Sequence, residues 1–278
     1  MADEARKEIE PTEDECALYD DIAHLAKSLW DKSEGIEGLN TDPKMFSNSL
    51  FKRLWTNHQG YTLLWKDNYR LESDILLRSA LETAICIAAL VVMKDDFVLL
   101  MKRDAAHTLT GHIKIYRENN ATDMVRDSEA VLRLLLKGLP EGVKPAKLDW
   151  KELAEIGSVQ SLYEWHRRLS GVSSHVTGLS IMDGFGGEGL DEKQRDLRRL
   201  QRKMHLMQMA AAALQGSQHH ATMLDATEEY ERSRELTDRM NAVSRDWPGV
   251  KRPEPESVID YDVAPPMAAR SGGVAEET

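Results

Sequence analysis

Two short segments carry the residue types from which chemistry could be built. The first is Arg78, Ser79, Glu82 and Thr83, set within the otherwise apolar run from Ile75 to Met93. Their spacing of i, i+1, i+4 and i+5 makes them one contiguous patch on a helix surface. The second is the stretch from Tyr163 to His175. Within it, Arg168 and His175 fall about 20° apart around a helix and two turns along it. Ser170, Ser173 and Ser174 surround them, and Trp165, Leu169, Val172 and Val176 form an apolar stripe. One side of this helix should therefore pack while the other shows arginine, serine and histidine.

An arginine and a carboxylate inside an apolar helix need partners, because an unpaired buried charge is costly. Arg78 and Glu82 can pair with each other. The segment around Tyr163 offers the remaining partners. Two readings follow. His175 could be a core histidine bonded to Glu82, one member of a buried polar network with Arg78, Tyr163, Ser170 and Ser174. Alternatively, His175 could be a general base beside an arginine, Arg168, that neutralises phosphate charge.

The elements that must position these residues read as helices throughout. Thr12 and Glu15 make a capping box after Pro11, predicting a first helix that runs to about Ser33. Asp42-Pro43 reads as N-cap and first helical position of the next, which Gly60 could interrupt. Ser73 or Asp74 is expected to cap the apolar helix. A helix after Asp95-Asp96 reaches toward Asn119, and Asp123 to Lys137 is amphipathic. A linker over 138–149 leads to a short helix from Trp150 to Ile156, with Ser158 capping the segment that holds Tyr163. After a glycine-rich loop, one helix is expected from Asp191 to about Gln215 and a last one from about Ala221 to Arg245. No segment alternates strictly between apolar and polar residues, and no hairpin signal is present. The expected fold is an all-α helical bundle over residues 13–246, flanked by a disordered acidic N-terminus (1–12) and a disordered proline-rich tail (247–278).

Composition narrows the functional classes. The 278-residue chain is 41% hydrophobic and 30% charged, as expected of a soluble globular protein. Its net charge of −11 is concentrated at the two ends, which argues against general nucleic-acid coating. The basic run from Lys193 to Lys203 is diluted by Asp191, Glu192 and Asp196, and reads as a solvated face rather than a nucleic-acid stripe. Only Cys16 and Cys86 occur, so a reducing, cytoplasmic setting is the default expectation. No signal peptide is evident, and the apolar run from Ala84 to Met93 is bracketed by Glu82 and Asp95, so it reads as a core helix rather than a membrane span. The nine histidines make no metal motif: His107 and His112 are five apart, and His219-His220 diverge by about 100° if helical. The Gly184–Gly189 match to a dinucleotide fingerprint lacks the strand that motif requires. No cofactor or metal is expected.

The residues Arg78 to Glu82, Trp150 to Leu153, and Tyr163 with Arg168, Leu169, Ser170 and His175 resemble an uncharacterised, mostly bacterial all-α domain-of-unknown-function family. That resemblance implies a fold and no established activity. Arg168 and His175, with six residues between them, also resemble the signature of HEPN domains. This second resemblance implies a metal-independent endoribonuclease of a defence or toxin system, working as a homodimer on RNA. Arg168 and His175 would then be catalytic, with Arg78 and Glu82 orienting them. Leu169 departs from the polar residue that often follows the HEPN arginine. Of the two classes, a non-catalytic binding or regulatory bundle is the first expectation and the endoribonuclease the alternative. The protein partner is left open.

Overall fold

Thr12 caps the first helix as its spacing predicts. Its hydroxyl accepts from the Glu15 amide (3.2 Å) while the Glu15 carboxylate accepts from the Thr12 amide (2.7 Å). In the computed structural model, residues 10–39, 41–172, 181 and 191–244 are described. Among them lie α1 (Glu13–Ser33), α2 (Pro43–Lys66), α3 (Arg70–Met93), α4 (Asp95–Glu118) and α5 (Thr122–Lys137). They continue with α6 (Trp150–Ile156), α7 (Gln160–Val172), α8 (Glu192–Leu224) and α9 (Thr227–Ser244), and no strand occurs among the described residues. The protein is all-α.

The apolar α3 is the centre. It packs against α2, α6, α7 and α8, and Leu77, Leu81, Ile85, Ile87 and Leu90 are wholly buried. Each such side chain contributes about 1.5–3 kcal/mol of transfer free energy, offset by the entropy of ordering it. By length and composition α3 could cross a membrane, yet 61% of its apolar window is buried inside the protein. Around it, α8 touches α1, α2, α3 and α9. By contrast, α5 packs chiefly on α4 and buries none of its residues. The α4–α5 hairpin therefore stands out from the body, with Met124, Val131 and Leu134 exposed.

Three local expectations are corrected. α3 begins at Arg70, not at Ser73 or Asp74; those two residues lie inside the helix and are buried. α2 runs through Gly60 without a break. α8 runs through Gly216 to Leu224 and ends at Asp225, which adopts the left-handed conformation (φ 58°) that stops a helix. Gly216 reads locally as a stop, but a Cβ there would overlap the Leu54 side chain, so the residue serves close packing of α2 on α8.

Buried histidines tie the long helices together. His220 sits between α1 and α2, with Nε2 2.8 Å from Ser33 and Nδ1 2.7 Å from Ser47. Ser33 already donates its hydroxyl proton to the Leu29 carbonyl (2.7 Å), so it accepts from His220 Nε2–H, and Ser47 donates to Nδ1. His58 is stacked between Tyr19 and Trp55, and its Nε2 has no partner. Burial pushes the imidazole pKa down to about 4 for His58 and about 3 for His220. Both rings are neutral in the fold, whereas in the unfolded chain they take up protons below about 6.5. Their contribution to stability is whole above that pH and is lost as the pH falls toward the folded values.

Urea unfolding followed by circular dichroism is expected to show stability dropping from pH 6.5 to 4. His58→Phe, which keeps the stacking and removes the unpartnered nitrogen, should flatten that drop. An unchanged slope would mean that His58 does not drive it.

Candidate functional site

The sequence brings α7 onto α3 by a tight turn. Gly157 closes α6, and a Cβ on it would lie 2.7 Å from Ala88 Cβ and 3.0 Å from the Ala88 and Ala89 backbone. Only glycine lets this turn rest on α3. Ser158 follows with φ 56°, reversing the chain into α7.

Where α7 meets α3, four side chains interlock. Arg78 Nη2 and Glu82 Oε1 are 2.9 Å apart, and the same carboxylate oxygen lies 3.0 Å from His166 Nε2. Arg78 Nε donates to Ser170 Oγ (3.1 Å), and Ser170 donates to the His166 carbonyl (2.8 Å). His166 is buried, with the rings of Trp150 and Tyr163 tilted against it at 5.7 and 6.2 Å. Its Nδ1 is buried and makes no hydrogen bond. Burial alone would raise the Glu82 carboxyl. The His166 hydrogen bond and the Arg78 charge outweigh it and hold the group below the ordinary carboxylate range.

The expected network of Arg78, Glu82, Tyr163 and Ser170 thus assembles, but around His166. His175 and Ser174 lie outside the described residues. Arg168 does not join this network; it is exposed on the opposite flank of α7. The patch on α3 also divides. Arg78 and Glu82 turn to α7, whereas Ser79 accepts from Asn57 (2.9 Å) and Arg53 (3.2 Å) of α2, and Thr83 donates to the Ser79 carbonyl. The i, i+1 offset of about 100° separates the two halves.

A second buried polar pair went unread in the sequence. Asp74, four residues before Arg78 on the same side of α3, lies 2.6 Å from Nδ1 of His205 on α8. The Asp74 side chain is 3% exposed and that of His205 12%. The Asp74 signal is hidden because an aspartate before an apolar run reads as a cap. The basic run of α8 is likewise spent inside the fold in part. Lys203 forms a buried ion pair with Glu15 (3.0 Å), and Arg202 lies over the Trp65 ring at 4.1 Å.

His205 also lines a cleft of about 340 Å³ between α7 and α8. From α7 come Trp165, Arg168 and Leu169. From α8, Leu197, Leu200, Gln201, Met204 and Gln208 complete the lining with His205. None of these residues is acidic. With Nδ1 engaged by Asp74, Nε2 is the ring's remaining polar atom for the cleft. Among the described residues no group of three or more His, Cys, Asp or Glu could hold a metal ion.

No known protein family, curated protein or solved structure matches this chain.

Two measurements check the joint. Gly157→Ala should destabilise the protein by about 1–3 kcal/mol, because the neighbour it meets is backbone and cannot swing aside; a neutral effect would show that the turn is not seated as described. Glu82→Gln should cost about 1–3 kcal/mol at neutral pH. A depressed carboxyl contributes stability above its unfolded pKa and loses it as the pH falls through the folded value. The gap between wild type and Glu82→Gln should therefore close in acid, and a gap independent of pH would contradict the pairing.

Proposed function

We propose that the protein is a non-catalytic binding module whose ligand site is the cleft between α7 and α8. The observation that carries this reading is that one helix has two differently employed sides. One flank of α7 is fixed to α3 by Arg78, Glu82, His166 and Ser170. The other presents Trp165, Arg168 and Leu169 to a cleft with apolar walls and a few polar groups. A volume of about 340 Å³ is at the small end of the range that holds small molecules. The half-buried network is then the brace that keeps the cleft wall at a set distance from α8. Its hydrogen bonds run from α3 to α7, across the joint that seats the cleft wall, which suits a positioning role.

The endoribonuclease alternative draws on Arg168 being exposed and on the resemblance of Arg168 and His175 to the HEPN signature. The two readings separate experimentally. The neutral dye 1-aminoanthracene should bind the folded protein at one equivalent, with a fluorescence rise. Leu200→Trp, which fills the cleft from a half-buried position, should abolish that binding with little change in melting temperature. Equal dye binding by this variant would remove the cleft from consideration. Metal-free cleavage of an RNA oligonucleotide that disappears in both Arg168→Ala and His175→Ala would overturn the non-catalytic reading in favour of the nuclease.

A further inference from the structure

The lining of the cleft says what kind of molecule it takes. The chain carries a net charge of −11, yet among the described residues no acidic side chain lines this cleft and an arginine does. Arg168 is exposed, and no carboxylate among the described residues lies within ion-pair distance of it. Two cations set against apolar surface elsewhere in the fold, Arg78 and Lys203, are paired with Glu82 and Glu15. A guanidinium left open beside Trp165 and Leu169 suits an anion attached to an apolar body, because it forms two parallel hydrogen bonds with a carboxylate.

His205 supplies the second contact. Asp74 is buried deeper than the imidazole and accepts from Nδ1–H, which fixes the ring and its tautomer. With one proton on the ring and that proton on Nδ1, Nε2 offers a lone pair. Such an atom is matched by a hydroxyl that donates, not by a second carboxylate.

Resting on the reading of the cleft as a binding site, we propose that its ligand is a small organic hydroxy acid with an apolar or aromatic body. The carboxylate pairs with Arg168, the hydroxyl donates to His205 Nε2, and the body lies against Trp165, Leu200 and Met204. Asp74 is a positioning residue that acts through His205 and touches no ligand.

The experiment displaces 1-aminoanthracene from the full chain with three probes that share a phenyl ring: mandelate, phenylacetate and benzyl alcohol. Mandelate is expected to compete best, phenylacetate less well, and benzyl alcohol at least tenfold less well than mandelate. In Arg168→Gln, with competition referred to that variant's own dye affinity, the advantage of the two acids should disappear. In 15N spectra of the histidine rings, mandelate should shift His205 Nε2 and phenylacetate should not. Equal competition by benzyl alcohol and mandelate, or an advantage that survives Arg168→Gln, overturns the assignment of an acid. An acid preference with no shift of Nε2 overturns the hydroxyl contact. If the dye binds in the cleft and none of the three displaces it, the ligand class is wrong while the cleft stands. If the dye does not bind, or binds Leu200→Trp equally, the cleft reading itself has failed.

Discussion

Burying α3 without stranding its charges is the constraint that arranges the rest of the molecule. The helix brings a carboxylate, a guanidinium and a second carboxylate, Asp74, Arg78 and Glu82, along one side at intervals of four residues. Each must be met by a group from elsewhere, since an isolated charge in such surroundings costs more than packing can return. Asp74 meets His205 of α8, and Arg78 with Glu82 meets Ser170 and His166 of α7. Apolar contacts pull α7 and α8 onto α3 without much preference for register. The polar contacts choose the register, and in doing so they set the spacing of the two helices across the cleft.

The same logic explains the histidines. His166, His205 and His220 each sit where two or three helices converge, and each accepts or donates across a helix–helix joint. An imidazole is small enough to fit between packed helices and can serve two partners at once. His58 differs, since it holds its place by stacking between Tyr19 and Trp55 rather than by hydrogen bonds to its Nε2.

Much of the fold was legible in the sequence because its signals are local. Thr12 with Glu15, Asp42 with Pro43, and Gly157 after Ile156 each involve residues within one turn, and all three mark the observed helix ends. Signals that depend on distant partners were misread. Asp74 looks like a cap because its histidine lies 131 positions away. Gly216 looks like a terminator because Leu54, which it accommodates, belongs to another helix. At the site, Arg78 and Glu82 were legible as charges within an apolar run, and Tyr163 and Ser170 as polar residues of the segment expected to meet them. His166 was passed over in favour of His175, although its place four residues before Ser170 puts both on one face of α7. The i+4 spacing to Ser170 was the signal available.

α8 is held in register at widely separated points along its length. Lys203 meets Glu15, His205 meets Asp74, and His220 fits between Ser33 and Ser47. Deleting one residue between His205 and His220 would turn one end of the helix by about 100° against the other. No single placement could then satisfy both sets of contacts. The far end of the α4–α5 hairpin is under no such restraint, because α5 buries none of its residues and packs chiefly on α4. Changes in chain length should therefore be tolerated at the tip of that hairpin and rejected along α8, so the two regions would drift at different rates as the protein evolves.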